Sequence, residues 1–232
     1  MNPVTSWLLS LMVAFASPDE RAKGSQLPGH EETAQEKTAR YESIASDLFD
    51  VVYDPKETPL FRGAKGRART AALVLAVAYH ESGFAHDVDV GPCYRGKDGR
   101  GARCDHGKSA CVMQLHVGDG TTLQGYTQEE LFADRKKCFR AGLGLLRKSL
   151  SECRRLDTRH RLNAYATGVC TRGDDDSEVL MALMDKFVAK KPLPADDETI
   201  MHPKAETASK SEAAEANMQA SPSKAKTKAS KR

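Results

Sequence analysis

Apolar positions recur at helical spacing along most of this chain and divide it into elements. Between Glu36 and Val52, the residues Ala39, Ile44, Leu48 and Val52 mark an apolar stripe among charges. Asp54-Pro55 and Pro59 then break the pattern. A second helix is expected over 65–82. Its run Ala71-Ala72-Leu73-Val74-Leu75-Ala76-Val77-Ala78-Tyr79 is apolar for over two turns, which predicts a buried central element. From His86 to Lys108, Gly91-Pro92, Gly96, Gly99, Gly101 and Gly107 read as a long loop. Helical signals resume at Thr127-Gln128-Glu129-Glu130, a capping-box pattern ahead of Leu131-Phe132. A longer helix is expected over 135–153, with Phe139, Gly142, Leu143, Leu146 and Leu150 inward. Segments 156–167 and 177–190 complete the set. No alternating run is long enough for a useful strand, so the class is mainly α.

The ends differ from this middle. Residues 1–16 read as a secretory signal. Trp7 to Ala16 is apolar but too short for an ordinary membrane span, and Ala14-Phe15-Ala16 before Ser17 fits a small-x-small cleavage site. No Lys or Arg precedes the apolar stretch, so the amino terminus alone supplies positive charge. Residues 17–37 read as a polar linker, 38–190 as a single globular domain, and 191–232 as a disordered low-complexity tail with a basic end. The expected location is therefore periplasmic or secreted, with no stable membrane insertion.

Cysteine usage supports export. Cys93, Cys104, Cys111, Cys138, Cys153 and Cys170 are even in number and fall within the expected domain. Cys93 with Cys104 would clamp the Gly-rich loop locally. Cys111 with Cys138 and Cys153 with Cys170 is one arrangement of the rest among the several that six cysteines allow. Zinc, helped by His106 and His116, is disfavoured by the lack of any Cys-x-x-Cys spacing. Asp87, Asp89 and Asp98 have a faint calcium-loop spacing, but Pro92 stands where such a loop needs Gly. The chain thus carries no metal or cofactor signature. A net charge of +3 with no recognisable motif argues against nucleic acid as partner.

The residue that most invites a chemical role is Glu81. On a helix it shares a face with Val74, Val77 and Ala78, so its carboxylate emerges from an apolar stripe. Poor solvation and the negative end of the helix dipole should both raise its pKa. A carboxyl held protonated near neutral pH suits general-acid work. Asp87 and Asp89 are conceivable second carboxylates, with loop solvation the plainer role. His80, His86 and His116 receive no catalytic assignment. Arg95, Lys97, Arg100 and Arg103 are loop cations able to meet anionic substituents.

Four patterns occur in order: Glu81-Ser82-Gly83-Phe84, Val112-Met113-Gln114-Leu115, Leu131-Phe132-Ala133-Asp134 through Arg140-Ala141-Gly142, and Ala164-Tyr165-Ala166-Thr167-Gly168. Together they resemble the soluble lytic transglycosylase family over about 71–168. The resemblance implies a lysozyme-like fold and cleavage of peptidoglycan glycan strands. It also leaves room for a larger cell-envelope apparatus as partner. It makes Glu81 the single catalytic acid. Ser82, which follows it, is expected on the substrate side, as are Met113, Gln114 and Tyr165. Arg140-Ala141-Gly142 would begin a supporting helix. The chain departs from the family pattern at Cys111-Val112 for Gly-Leu, and at Ala166 and Cys138 for Asn. Its interval from Glu81 to Met113 is also long.

The implied chemistry breaks the β-1,4 bond between N-acetylmuramic acid and N-acetylglucosamine. Glu81 protonates the leaving oxygen, and the muramyl 6-hydroxyl then attacks its own anomeric carbon to give a 1,6-anhydro product. A hydrolase would instead need a second carboxylate or an activated water. A lysozyme-type muramidase and a non-catalytic peptidoglycan-binding scaffold are the alternatives. In this scheme Phe84 and Met113 would offer apolar contact, or simply belong to the core.

Overall fold

Every residue from Ala71 to Ala78 is buried, as expected of a helix that is apolar around its whole circumference. The computed structural model describes residues 1–15, 32–91, 103–118, 120–170 and 175–194. All of these lie in one compact unit, Met1–Asp197. The central helix is α3 (Gly66–Ser82), preceded by α1 (Pro3–Phe15) and α2 (Ala34–Val52). After it come α4 (His86–Val90), α5 (Arg103–Gly107), α6 (Gln128–Ala133), α7 (Arg135–Glu152), α8 (Asn163–Thr167) and α9 (Asp175–Lys190). Helix α3 packs most extensively on α9 and is flanked by α1, α2 and α7. The mainly α class is therefore observed. Among the described residues, no helix is long and apolar enough to cross a membrane.

The segment expected as a signal is part of this packing. In α1, Val4, Trp7, Leu8, Leu11 and Met12 are buried. These residues pack against α2 and α3, while Ser6, Val13 and Ala14 are left exposed. Trp7 Nε1 donates to the Lys191 carbonyl at 3.1 Å. Phe15 lies 4.5 Å, centroid to centroid, from Phe187.

Two further boundaries differ from the sequence expectation. Helix α2 starts at Ala34, inside the expected linker, because Thr33 and Glu36 form a reciprocal capping box. The expected long loop contains α4 and α5, and residues 92–102 within it lie outside the described residues. Asp87 and Asp89 of α4 are buried rather than solvated. Asp89 receives two bonds from Arg135, Nε to Oδ1 at 2.7 Å and Nη2 to Oδ2 at 2.9 Å. Arg135 also bonds Asp47, and Arg40 approaches Asp89 at 3.7 Å. This buried charge network fastens α2, α4 and α7 together. Its desolvation is tolerable because each charge is matched.

A minimal sheet completes the frame. Strands β1 (Ser109–Ala110) and β2 (Leu115–His116) pair antiparallel, with Ser109 opposite His116 and Ala110 opposite Leu115. The turn between them, Cys111 to Gln114, is closed by the Gln114 amide donating to the Cys111 carbonyl at 2.9 Å. A disulfide joins Cys111 to Cys138 of α7, and another joins Cys153 to Cys170. Cys104 is also disulfide-bonded, and its expected partner Cys93 lies outside the described residues. These bridges replace the zinc alternative for Cys111, Cys138, Cys153 and Cys170.

Candidate active site

Helix α3 stops where it does because Gly83 adopts a left-handed conformation (φ 58°) and returns its amide to the Tyr79 carbonyl at 2.7 Å. Ser82 reinforces that stop. Its hydroxyl donates to the Ala78 carbonyl at 2.6 Å and accepts the Phe84 amide at 3.1 Å. Ser82 therefore finishes the helix and does not line the cavity beside it. Phe84, held at φ 56°, turns into the core between Tyr41 and Tyr79, each 5.7 Å away by ring centroid. The apolar contact expected of Phe84 is thus made with the protein interior.

Glu81 sits one residue before this stop and points into a cavity of about 900 Å³. Its carboxyl makes no hydrogen bond or ion pair among the described residues. Burial pushes its pKa up to about 7, and the negative charge of Asp176 on α9 adds to the rise. The direction agrees with the sequence expectation. The second cause, however, is a neighbouring carboxylate rather than the helix dipole. Asp176 Oδ1 lies 3.8 Å from His80 Nε2. Sequence reasoning missed Asp176, since nothing local links it to a glutamate on another helix.

Besides Gly118, Thr121, Thr122 and Leu123, the cavity has two further walls. One is the β-turn: Gln114 lines the space, while Met113 is fully buried beneath it. Gln114 holds a left-handed backbone (φ 47°), and its Nε2 donates to the Cys111 carbonyl at 3.1 Å and lies 3.2 Å from Cys104 Sγ. Met113 makes no wall for the sugar cleft that the resemblance implied. Its sulfur fills the space above Gly142, where a Cβ would stand 2.2 Å from Sδ. The absence of a side chain at Gly142 gives the Arg140-Ala141-Gly142 pattern a physical reason, room for the buried Met113 thioether between α7 and the turn.

The second wall is α8 with α7. Tyr165 lines the cavity, and its hydroxyl donates to the Met113 carbonyl at 3.1 Å. Burial holds its phenol well above the usual range, with the Glu81 charge contributing. Tyr165 is therefore a neutral hydrogen-bond donor at ordinary pH. Ala166 also lines the cavity, so the departure from Asn leaves a small apolar surface there. From α7, Leu145, Lys148, Ser149 and Glu152 face the same space at i, i+3, i+4 and i+7. The sequence expectation for this helix named only its apolar inner face, Phe139, Gly142, Leu143, Leu146 and Leu150, so it missed these four.

Of the five residues expected at the site, Glu81, Gln114 and Tyr165 meet at one cavity. Ser82 and Met113 stand behind it. Asp87 and Asp89 do not line it, whereas His116 does. Arg95, Lys97 and Arg100 lie outside the described residues, as does the side chain of Arg103. Among the described residues, no three His, Cys, Asp or Glu side chains gather as a metal site would need. The arrangement offers one proton donor poised near neutrality, a fixed amide and a neutral phenol, around a space at the upper end of the roughly 300–1,000 Å³ usual for ligand sites. No family profile, characterised protein or solved structure matches this chain.

Proposed function

We propose that this protein is a peptidoglycan lytic transglycosylase with a lysozyme-like domain, acting in the periplasm or outside the cell. The observation that carries the reading is Glu81, a carboxyl with no hydrogen bond or ion pair among the described residues, raised to about 7, on the wall of a large cavity shared with Gln114 and Tyr165. A glycan strand lying in that cavity presents its glycosidic oxygen to the neutral Glu81. Proton transfer expels the leaving sugar, and the resulting carboxylate takes the proton of the muramyl 6-hydroxyl as that oxygen closes on the anomeric carbon. The carboxyl thus returns to its starting state without a metal or a second nucleophile. A pKa near neutrality suits a group that must give and then recover a proton. Gln114 and Tyr165 border the reacting sugar and restrict water around Glu81. Disulfides at Cys111–Cys138 and Cys153–Cys170 fit an oxidising compartment.

The test is digestion of purified cell walls by wild type and Glu81→Gln, followed by mass spectrometry of the released fragments. The expected products are 1,6-anhydro ends, formed by wild type alone. Reducing ends would assign a hydrolase. Equal clearing by both proteins would remove Glu81 from the chemistry, and no clearing by either would leave a binding protein.

A further inference from the structure

Four side chains of α7 face the cavity, and two are already accounted for. Leu145 is apolar. The Ser149 hydroxyl donates to the Arg161 carbonyl at 2.9 Å and accepts the Tyr165 amide at 3.0 Å, so its one proton is already committed and cannot meet an anion. That leaves Lys148 and Glu152. Lys148 is the only lysine or arginine among the described lining residues. Its ammonium makes no hydrogen bond among the described residues, and its one ion pair, with Glu152, is loose at 3.9 Å. Other lysines of α7 are better held: Lys136 bonds Asp50 at 2.5 Å and Lys137 bonds Glu130 at 2.7 Å.

We infer that Lys148 is the specificity residue of this cavity, receiving a carboxylate carried by the muramic sugar and so favouring anionic glycan strands over neutral ones. The inference rests on the glycan-cleaving reading above. A muramic sugar differs from N-acetylglucosamine by a lactyl ether. That ether ends in a free carboxylate or in an amide to a peptide that bears carboxylates of its own. Either source presents the same group to an ammonium.

The exchange is favourable on simple grounds. Lys148 and Glu152 are 55% and 48% exposed, and a separated, solvated pair of this kind holds an ammonium weakly. A ligand carboxylate arriving at hydrogen-bond distance replaces that contact with a charge-assisted bond inside a partly enclosed space. Glu152 is the competitor: it holds Lys148 when the cavity is empty and repels an incoming anion. Glu81 does not oppose entry while its carboxyl is neutral.

The experiment is calorimetric binding in a Glu81→Gln background, where strands remain uncut. Three ligands of equal sugar number are compared: strands with intact peptides, strands stripped to the lactyl carboxylate, and neutral chitin oligomers. The expected affinity for the anionic strands is about tenfold above that for chitin, with the advantage shrinking as salt rises. Lys148→Ala and Lys148→Met should bring that ratio to about one, and Glu152→Gln should increase it. A gain with stripped strands assigns the lactyl carboxylate, and a gain confined to intact strands assigns the peptide. An unchanged ratio in both Lys148 variants overturns the inference, as does equal affinity for all three ligands. Both positions are exposed, and unfolding midpoints of the variants confirm that they fold. Cleavage by the Glu81 parent is read separately, so loss of selectivity and loss of the enzymatic reading are distinct results.

Discussion

The Tyr165 hydroxyl donates to the Met113 carbonyl at 3.1 Å, which ties α8 to the β-turn 52 residues earlier in the chain. The bond places the phenol beside Glu81 and fixes the turn that presents Gln114. Tyr165→Phe keeps the ring and loses only this bond, on the order of 1 kcal/mol. We expect a cleavage rate reduced about threefold to tenfold in that variant. Tyr165→Ala also opens the cavity wall to water, and its rate should fall by a further order of magnitude or more. Equal rates in the two variants would mean that the ring contributes nothing.

Glu81 gives the site its pH dependence. Its folded pKa is about 7 against an ordinary value of 4.5. Between these values the folded protein holds a proton that the unfolded chain has released, so stability falls as pH rises through this window. Glu81→Gln carries no such penalty. The variant should gain stability over wild type on going from pH 4 to pH 8, by on the order of 2 kcal/mol once partial exposure is allowed for. Denaturant unfolding at the two pH values measures this, and a constant difference would contradict the raised pKa.

The same carboxyl should lose activity above about pH 7, as the acid form disappears. Asp176 contributes to the raised value through its negative charge, after burial. Asp176→Asn should therefore move the alkaline limb of the rate profile to lower pH, leaving the low-pH rate less affected. A limb that stays in place would remove Asp176 from the tuning of Glu81.

Met113 occupies the space that a side chain on residue 142 would need. Gly142→Ala would put a methyl into the buried thioether, and overpacking of this kind costs about 1–3 kcal/mol. The variant should unfold at lower denaturant and cleave more slowly, because the displaced turn carries Gln114. Combining it with Met113→Ala should recover part of the loss, since the second change vacates the contested volume. Strictly additive losses would show that the two residues do not compete.

Local signals were legible, while signals shared between distant segments were not. The Thr127–Glu130 capping box and the apolar run of α3 depend on neighbours within a turn or two, and both appear in the structure at the expected places. The Thr33–Glu36 box has the same pattern, but it lay in a stretch whose polarity suggested a linker. Asp89 looked like a solvated loop residue because its partner Arg135 is 46 positions away. Glu81 was visible as a carboxyl on an apolar stripe, yet Asp176 emerges as its neighbour only when α9 packs on α3. Met113 was ambiguous between cleft and core, and the missing side chain at Gly142 decides for the core.

Helix α1 is where the leader-like sequence and the packing meet most directly. A leader needs only an apolar stretch, whereas α1 is packed into the domain, burying Val4, Trp7, Leu8, Leu11 and Met12 while Val13 and Ala14 stay exposed. Full burial of a side chain such as Leu8 is worth about 1.5–3 kcal/mol, as an upper figure given a compact unfolded chain. Deleting residues 1–16 removes all five and uncovers Phe187, which contacts both Phe15 and Tyr79. Compared with the full chain, the truncated protein should melt at least about 5 °C lower and bind more of a hydrophobic dye. An unchanged midpoint would mark the helix as dispensable, which is the behaviour of a cleavable leader. Leu8→Ala in the full chain gives the finer measure, an expected loss of about 2–5 kcal/mol, because its side chain is wholly enclosed.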